Sequence, residues 1–553
     1  MARPIAGAMS ADKACDFVIV GAGSAGCTLA NRLSEDGATR VLLLEAGGWD
    51  RDPRIAMPLG WRHLCERRLH DWRYCAEAEP SLGGRRLACA CGKVIGGSSS
   101  IDGMVYGRGH RGDYDRWAAS GLETWSYAHL LPYFRRQESW EGGEDTYRGG
   151  QGPLATAAAR YDDPVVEACI AAGAAAGFPV TADYNGAAQE GFARLQHTIR
   201  RGRRCSAASA YLRPALARGN LTVEVGARAM RIVFDGRRAV AIEYEKDNVS
   251  VTATAAREVI LAGGAVNSPQ LLMLSGIGDP DELRRHRIAV RAALPGVGCN
   301  LQDHLSAPIE YRRRGVGPFV RTMRLDRLGV ALARAWLRGD GLAAHPPSGW
   351  TAFLKTRPEL HLPDIQFLFR AAPPHAAPYL PPFRHAGEDG FAFRAVLLRP
   401  ESRGTVSLAS ADPAAAPRIR QNFLATGADR RTLQAGLRLV RAVASRSPLA
   451  PFIAAEINPG REQRSDGDLD RHVRATAMTA HHALGTCRMG PARDSGAVVD
   501  AELRVHGVEG LRVVDASVMP DLVGGTINAA VIVIAEKAAD LVRGRRPPPP
   551  APV

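Results

Sequence analysis

The stretch from Asp16 to Gly26, which reads DFVIVGAGSAG, decides the fold of this chain. A short apolar run typical of a buried strand leads directly into a GxGxxG loop, and a helix-like pattern follows it. The three glycines of the loop are Gly21, Gly23 and Gly26. A second apolar run ends at Glu45, 19 residues after the last of these glycines, where a carboxylate accepts hydrogen bonds from a ribose diol. The sequence therefore predicts a Rossmann-like site for FAD or NAD rather than NADP, because Glu45 suits a free 2′-hydroxyl.

Size and composition indicate an ordinary globular protein of about two domains. The chain has 553 residues, of which 46% are hydrophobic and 23% are charged. No apolar run approaches the length of a membrane span, and the first 15 residues lack the apolar core of a secretory signal. The 10 cysteines show no spacing typical of a metal site. We therefore expect a cytoplasmic protein with reduced thiols, no membrane span and no metal.

The net charge of +14 does not by itself indicate nucleic-acid binding. Nearly all of the basic residues are arginine, and no predicted helix carries a sustained basic face with interleaved aromatic side chains. Clusters such as RRGRR at 200–204 are typical of a solvated surface. We therefore expect a small-molecule substrate as partner and no nucleic acid.

Strand-like runs recur far from the glycine loop, at 257–262 and 511–515, and predict a nucleotide-binding domain assembled from discontinuous segments. A Pro-rich, irregular region between them predicts a second domain. The predicted division assigns 14–160, 196–305 and 471–543 to the nucleotide-binding domain, 306–470 to the second domain, 161–195 to a linker or an outlying part of the second domain, and 544–553 to a tail. The arginines and prolines of this tail cannot form a core, so we expect it to be disordered.

Three further stretches add to the glycine loop. They are GKVIGGSSSI at 92–101, GAVNSPQLLMLSGIG at 264–278, and a C-terminal block that runs from HALGTCRMG at 482–490 through VVDAS at 513–517 to Asn528. With these stretches in this order, the chain resembles the glucose-methanol-choline (GMC) family of FAD-dependent oxidoreductases from Asp16 to Val542. The resemblance implies an α/β fold, with a Rossmann-like FAD-binding domain and an α+β substrate-binding domain that contains an antiparallel sheet.

The resemblance also implies which residues bind FAD. Gly21, Gly23, Ser24, Gly26 and Glu45 would hold the ADP half, Gly96, Gly97, Ser98 and Ser99 would lie beside the flavin with Asp102 close by, and Asp515 would meet the linker between ring and phosphates. Asn528 begins a predicted helix whose positive end would lie near the pyrimidine edge of the flavin. Some members attach FAD covalently through a histidine near the position of Ile101, so noncovalent FAD is expected here.

The same resemblance assigns the chemistry to His482 and Asn528. Oxidation of an alcohol to an aldehyde removes a hydride, which the flavin takes, and a hydroxyl proton, which an imidazole with a pKa near neutrality can accept. His482 would be this base, and Asn528 would hold the alcohol oxygen with a polar group fixed in place. Without the resemblance, His482 also fits a structural histidine, and Asn528 fits a helix cap.

Three positions depart from the family pattern. His481 stands where an aromatic residue is usual, Ala483 where proline is usual, and Asp102 where Asn or His is usual. A carboxylate at 102 would oppose negative charge on a reduced flavin unless it is protonated or turned away. Choline-type members also carry a glutamate where this chain has Gly349, which favours an uncharged primary alcohol over choline as the substrate.

The leading interpretation is an FAD-dependent alcohol dehydrogenase that passes electrons to a quinone or another carrier. Three alternatives stay open: an alcohol oxidase that uses oxygen, a choline dehydrogenase, and a hydroxynitrile lyase with redox-silent FAD. An NAD-dependent dehydrogenase is disfavoured by the C-terminal block.

Overall fold

The structure is a computed structural model, and it describes residues 15–373 and 375–553. The strands, in chain order, are β1 (Cys15–Val20), β2 (Val41–Glu45), β3 (Tyr74–Glu79), β4 (Arg85–Cys89), β5 (Glu138–Trp140), β6 (Leu154–Ala158), β7 (Gly191–Arg194), β8 (Gln196–His197), β9 (Ile199–Arg200), β10 (Arg203–Arg204), β11 (Leu221–Val225), β12 (Arg228–Asp235), β13 (Arg238–Lys246), β14 (Val249–Leu261), β15 (Ile277–Gly278), β16 (Ala292–Ala293), β17 (Leu305–Arg313), β18 (Trp350–Leu354), β19 (Ile365–Arg370), β20 (Gly390–Leu397), β21 (Thr405–Ser407), β22 (Arg418–Arg420), β23 (Ile453–Asn458), β24 (Met478–Thr479) and β25 (Leu511–Val513). The α-helices, in the same order, are α1 (Ser24–Leu33), α2 (Pro53–Ala56), α3 (Trp61–Glu66), α4 (Arg111–Ala119), α5 (Tyr127–Gln137), α6 (Pro164–Ala175), α7 (Arg213–Ala215), α8 (Gly264–Leu274), α9 (Pro280–Arg285), α10 (Pro318–Thr322), α11 (Leu325–Arg338), α12 (Gly427–Ala444), α13 (Asp466–Thr476) and α14 (Asn528–Val542).

One core is built on a sheet in the strand order β11-β2-β1-β14-β13-β12. The pairs around β1 are parallel, and Val18 lies opposite Leu42 in β2 and Val259 in β14. Such strands are buried on both faces and need continuous apolar runs, which the stretches before the glycine loop and before Glu45 supply. Helices α1 and α14 pack against each other, and α1 also contacts β1 and β2. This arrangement is the predicted Rossmann-like domain.

A second core is built on an antiparallel sheet in the strand order β23-β17-β20-β19-β18-β7, with β24 also paired to β17. Side chains alternate across this sheet, so Leu305 and Ala307 of β17 enter the apolar core against α12. Ser306 of β17 and Arg394 of β20 alternate to the opposite face. The predicted fold, with a Rossmann-like domain and an antiparallel domain, is confirmed.

The second sheet draws on distant parts of the chain. Its strand β7 comes from the segment predicted as 161–195, and β24 lies beyond the predicted boundary at 470. Helix α13 runs across that boundary, and its Leu469 and Val473 pack into the second core. The division into domains stays a prediction, and this packing favours a C-terminal boundary after β24.

The C-terminal segment 544–553 differs from the prediction of a disordered tail. It forms no helix or strand, but the backbone N–H of Ala551 donates to the carbonyl oxygen of Ala128 (2.8 Å), and Ala551 packs against the first core. Arg545 also pairs with Glu35 (3.3 Å). A proline-rich chain forms no core of its own, but in an extended conformation it can lie along a folded surface, which composition alone does not reveal.

In the part of the chain that the structure describes, no helix combines the length and the apolar character needed to cross a bilayer. The same residues include no group of three or more His, Cys, Asp or Glu side chains that could hold a metal ion. No disulfide bond joins two cysteines within residues 15–373 and 375–553.

Candidate active site

The glycine loop between β1 and α1 is closed by contacts that only glycine permits. Gly21 has φ +101°, and a Cβ there would lie 2.5 Å from the carbonyl oxygen of Ala262. A Cβ on Gly26 would collide with the carbonyl oxygen of Gly21. Gly23 differs, because a Cβ there would meet no atom of the described residues within 4 Å. The loop is therefore tight against the protein on one side and open at Gly23, where the phosphates of a ligand would approach the backbone.

Glu45 lies beneath this loop at the end of β2. Its carboxylate accepts hydrogen bonds from the backbone N–H groups of Ala22 (2.9 Å) and Gly47 (2.7 Å). Burial raises the pKa of Glu45 to about 7, and these two hydrogen bonds oppose that rise only in part. A ribose diol that donates to the carboxylate would favour the ionised form of Glu45.

The turn predicted to lie beside the flavin packs directly on the glycine loop. The backbone N–H of Gly96 donates to the carbonyl oxygen of Ala22 (2.8 Å), and a Cβ on Gly97 would lie 2.7 Å from the Cα of Gly23. The buried hydroxyl of Ser99 donates to the carbonyl oxygen of Gly96 (2.6 Å) and so holds the turn. Two of the predicted FAD-binding stretches are therefore one continuous surface.

Ser98 and Asp102 flank this turn. Ser98 is exposed, and its Oγ accepts a hydrogen bond from the backbone N–H of Gly92 (3.1 Å). Oδ1 of Asp102 accepts hydrogen bonds from Nη1 of Arg204 (2.5 Å) and from the backbone N–H of Met104 (2.9 Å). Burial raises the pKa of Asp102, and the Arg204 guanidinium opposes that rise. Asp102 is thus one half of an ion pair rather than a bare carboxylate beside the flavin.

Helices α1 and α14 begin side by side. The hydroxyl of Ser24, the first residue of α1, donates to Oδ1 of Asn528, the first residue of α14 (2.6 Å). The positive ends of two helices therefore converge next to Gly23, which favours a negatively charged ligand there. Both predicted roles of Asn528, in cofactor binding and in catalysis, stay predictions.

Asp515 is held by protein donors on both oxygens. Its Oδ2 accepts from the backbone N–H of Gly264 (2.8 Å) and from the hydroxyl of Ser268 (2.6 Å). Its Oδ1 accepts from the backbone N–H (2.8 Å) and the hydroxyl (2.5 Å) of Ser517. The carboxylate, whose pKa is raised by burial, fixes the chain after β25 against the start of α8. A contact between Asp515 and the FAD linker stays a prediction.

His482 lies against a second histidine, His304, that the sequence analysis did not single out. The two Nδ1 atoms are 2.8 Å apart, and the rings are perpendicular, with an interplanar angle of 88°. Nε2 of His304 is 3.2 Å from the carbonyl oxygen of Leu398. A carbonyl oxygen only accepts, so a neutral His304 carries its proton on Nε2 and presents Nδ1 as an acceptor. His482 then carries its proton on Nδ1, which leaves Nε2 of His482 unprotonated.

The surroundings keep both imidazoles neutral. Burial lowers the pKa of His304 to about 4. Burial also holds the pKa of His482 well below its usual range, and the positive charge of Arg394 adds to this effect. At neutral pH the Nε2 atom of His482 is therefore able to accept a proton.

Asp303 fixes the backbone of His482. Its Oδ1 accepts from the backbone N–H of His482 (2.8 Å), and its Oδ2 accepts from the hydroxyl of Thr479. The Thr479 hydroxyl oxygen accepts in turn from the backbone N–H of His481 (2.7 Å). Burial raises the pKa of Asp303 to about 7. The adjacent Asp303 and His304 were missed because they lie at the predicted domain boundary, although an acid next to a histidine there was a usable signal.

His481 and Ala483, which flank His482 and differ from the family pattern, have different surroundings. His481 has φ +61°, and its Nδ1 accepts a hydrogen bond from the backbone N–H of Ala90 (3.3 Å). Ala483 packs against a small apolar cluster that includes Leu301. His481 is thus tied to the chain after β4, and Ala483 lies against apolar packing.

Gly349 and Trp350 lie in the second core. A Cβ on Gly349 would lie 2.6 Å from Cγ1 of Val166, so this position has no room for a side chain. Trp350 is fully buried and stacks on Phe192 and Phe369, with ring centroids 5.2 Å and 5.3 Å away. The expectation of an uncharged alcohol rested on Gly349, and the structure gives that argument no support.

Comparison with known proteins bears on the whole chain. The GMC oxidoreductase family matches residues 15–306 and 400–535. This chain belongs to the GMC oxidoreductase family. The match covers both the glycine loop and the block that contains His482.

Curated relatives of this GMC oxidoreductase match nearly its whole length. It is 44% identical over 536 residues to the oxygen-dependent choline dehydrogenase of Brucella anthropi, and the aligned residues cover 96% of each chain. It is 44% identical over 550 residues to the mitochondrial choline dehydrogenase of Homo sapiens, which covers 98% of this chain and 91% of the relative. Among solved structures it is similar to the pyridoxine 4-oxidase of Mesorbium loti, with a TM-score of 0.86, 34% identity, and coverage of 96% of this chain and 100% of that chain.

Family membership confirms the predicted enzyme class and cofactor: this GMC oxidoreductase uses FAD and acts on the CH–OH group of its donors. The residues present fit FAD. The open backbone at Gly23, the buried acid Glu45 and the two converging helix ends form one cradle at the carboxyl ends of β1 and β2.

Proposed function

We propose that this GMC oxidoreductase oxidises a primary alcohol to the corresponding aldehyde, with His482 as the base. The observation that carries the proposal is the hydrogen-bonded series from Leu398 through His304 to His482, which leaves Nε2 of His482 unprotonated. The hydroxyl proton of the alcohol passes to this Nε2, and the carbon loses a hydride, so two electrons and two protons leave the substrate in total. When bound, FAD supplies the hydride acceptor.

His304 and Asp303 act through His482 as positioning residues. His304 accepts the Nδ1–H of His482 and continues to accept it after His482 gains a proton on Nε2, so it orients the ring in both states. Asp303 holds the backbone N–H of His482 at 2.8 Å and so keeps the loop in place. Neither residue needs to exchange a proton with the substrate.

We propose that Asn528 contributes to the cofactor site. Its Oδ1 accepts from the hydroxyl of Ser24 beside Gly23, and its Nδ2 can donate to a ligand at the same helix end. Gly23, Glu45 and the turn at Gly97 would hold the FAD around the same helix end.

Choline is the specific alternative substrate. Two relatives that are 44% identical to this chain are named choline dehydrogenases. Gly349 lies in the core, so the lack of a glutamate at this position is no argument against choline. The electron acceptor that we propose is a quinone or another carrier, with oxygen as the alternative.

Anaerobic flavin reduction tests the proposal. Purified holoenzyme is mixed with aliphatic, aromatic, polyol and amino alcohols and with hydroxy acids, and the flavin absorbance is followed. We expect one class of alcohol to bleach the flavin, and admission of air then separates an oxidase from a dehydrogenase. A yellow protein that none of these alcohols bleaches would contradict the proposal and favour the redox-silent lyase.

A further inference from the structure

Arg394 lies on the face of the second sheet that is turned away from the apolar core, close to the histidine pair. It stands opposite Pro308 in the neighbouring strand β17, and its Nη2 donates to the hydroxyl of Ser306 (2.5 Å). Ser306 follows His304 by two residues, so the alternation of an extended chain places both side chains on one face. His304 in turn contacts His482 through the two Nδ1 atoms (2.8 Å), and the charge of Arg394 helps to lower the pKa of His482.

This guanidinium has no counter-ion. Its Nε is buried without a hydrogen-bond partner, and among the described residues Arg394 forms no ion pair with a carboxylate. Burial lowers the pKa of Arg394 to about 10, and the charge of Arg370 adds to this effect, yet the group stays protonated at neutral pH. A buried charge without a partner is unfavourable, and so is a buried donor without an acceptor.

Three arginines that share electrostatic neighbours with Arg394 are already paired with carboxylates. They are Arg370 with Glu310 (3.6 Å), Arg68 with Asp71 (2.8 Å) and Arg62 with Glu66 (2.6 Å). The pairing leaves one positive charge in surplus beside the histidines, and that charge is Arg394.

We infer that Arg394 binds a carboxylate carried by the alcohol substrate, so this enzyme prefers hydroxy acids to neutral alcohols and to choline. The inference rests on the proposed function, because it names the substrate class of the same site. The planar guanidinium matches a carboxylate through two parallel N–H···O bonds, one of which would engage the unpartnered Nε. The trimethylammonium group of choline would meet a like charge there instead.

Matched substrates test the charge preference. Glycolate, 3-hydroxypropanoate and 4-hydroxybutanoate are compared with the neutral 4-hydroxybutanamide and with choline. A hydrogen-bonded charge pair predicts that kcat/KM for at least one hydroxy acid exceeds that for the amide by roughly tenfold or more, with choline the poorest substrate. If the amide or choline equals or exceeds every hydroxy acid, the inference is overturned.

Substitutions assign the preference to Arg394. In Arg394→Gln the ratio of kcat/KM for hydroxy acid over amide should fall by about tenfold, and Arg394→Lys should keep part of the ratio because it keeps the charge. Arg312→Gln is the matched control, since Arg312 lies on the same strand as Ser306 but pairs with exposed Glu388. FAD content and melting temperature establish that each variant is folded. An unchanged ratio in folded Arg394→Gln overturns the inference.

A binding measurement separates this inference from the proposed function. Oxidised holoenzyme is titrated with butanoate, which has no hydroxyl to oxidise, and the shift of the flavin absorbance is recorded. We expect binding to weaken by about tenfold in Arg394→Gln. If this loss is seen while no alcohol reduces the flavin, the proposed function fails and the carboxylate site stands. If alcohols reduce the flavin but butanoate binding is the same in both proteins, only the inference fails.

Discussion

At the scale of single residues, His304 decides which nitrogen of His482 is basic. The carbonyl oxygen of Leu398 accepts a hydrogen bond from the Nε2–H of His304, so Nδ1 of His304 is unprotonated and accepts from the Nδ1–H of His482. The basic Nε2 of His482 thus results from two hydrogen bonds of His304, a residue outside the C-terminal motif.

Removal of this acceptor should slow the chemistry without loss of the cofactor. We expect His304→Leu to reduce the flavin more slowly than the wild type by about tenfold or more, because His482 is then free to hold its proton on either nitrogen. His304→Gln is the matched variant, since its amide oxygen can accept the Nδ1–H and should retain more of the rate. Stopped-flow spectroscopy with a saturating alcohol measures the rate of flavin reduction in both variants and in the wild type. Equal rates in all three proteins would show that His304 does not position His482.

The pH dependence of the reaction follows from the surroundings of His482. Only the unprotonated imidazole accepts a proton, so activity is lost as the pH falls through the pKa of His482. Burial holds this pKa well below the usual 6.5, which moves the loss to lower pH. A profile of kcat/KM against pH should therefore stay flat down to 6.5 and fall only below it. An acidic limb centred above 6.5 would contradict the assignment.

The residues of the site differ in how far the sequence predicts them. His482 lies in a contiguous motif whose register identifies it. His304 contacts it from 178 positions away, and Arg394 reaches the same place through the pairing of β20 with β17. Contacts of this kind depend on strand register, which local patterns do not contain.

At the scale of elements, two glycines of the loop differ in what requires them. The fold requires Gly26, and we expect the cofactor to require Gly23. A Cβ on Gly26 would collide with the carbonyl oxygen of Gly21, whereas a Cβ on Gly23 would meet no described atom within 4 Å. We expect Gly26→Ala to destabilise the apoprotein by roughly 1–3 kcal/mol, because overpacking forces the backbone to shift. Gly23→Ala should leave apoprotein stability within about 0.5 kcal/mol and yet bind FAD far more weakly.

Urea denaturation of the apoproteins and FAD titration measure this pair of glycine variants. Normal FAD binding by Gly23→Ala would show that the open face of the loop is not where the cofactor lies. An apoprotein of Gly26→Ala as stable as the wild type would show that the helix can move away from the loop.

The strand, loop and helix around Gly23 were predictable because all their determinants lie within 30 or so consecutive residues. The contact between α14 and this loop could not be predicted from local sequence, since Ser24 and Asn528 are 504 positions apart. By resemblance the sequence predicts both a catalytic and a cofactor-binding role for Asn528, but its contact with Ser24 of the glycine loop is visible only in the structure.

At the scale of the whole molecule, two buried carboxyl groups link stability to pH. Burial raises the pKa of Glu45 from 4.5 to about 7 and that of Asp303 from 3.8 to about 7. The native state then binds more protons than the unfolded state, so the stabilising contribution is complete below the unfolded pKa values and is lost as the pH rises through 7. For Glu45 the loss is roughly 3 kcal/mol at 1.36 kcal/mol per pKa unit.

Glu45→Gln, which cannot ionise, should lose less stability than the wild type as the pH rises from 4.5 to about 7. The free energy of unfolding of the apoproteins, measured by urea denaturation at several pH values, gives the difference directly. Parallel curves would show that Glu45 titrates normally in the native state.

The fold classes of the two domains could be predicted from the sequence, but the domain boundaries and the course of the C-terminal segment could not. The discontinuous Rossmann-like domain and the antiparallel domain follow from motifs spread along the chain. The prediction placed a boundary inside α13 and left the segment 544–553 disordered, because packing of Val473 and Ala551 is a tertiary property.

The role of His482 as the base is tested by the rate of anaerobic flavin reduction in His482→Ala, with the best alcohol of the screen as substrate. We expect this variant to keep its FAD and its melting temperature, while flavin reduction slows by about 10²- to 10⁴-fold, as for the loss of a general base. Reduction at the wild-type rate in a folded, FAD-loaded His482→Ala would contradict the claim.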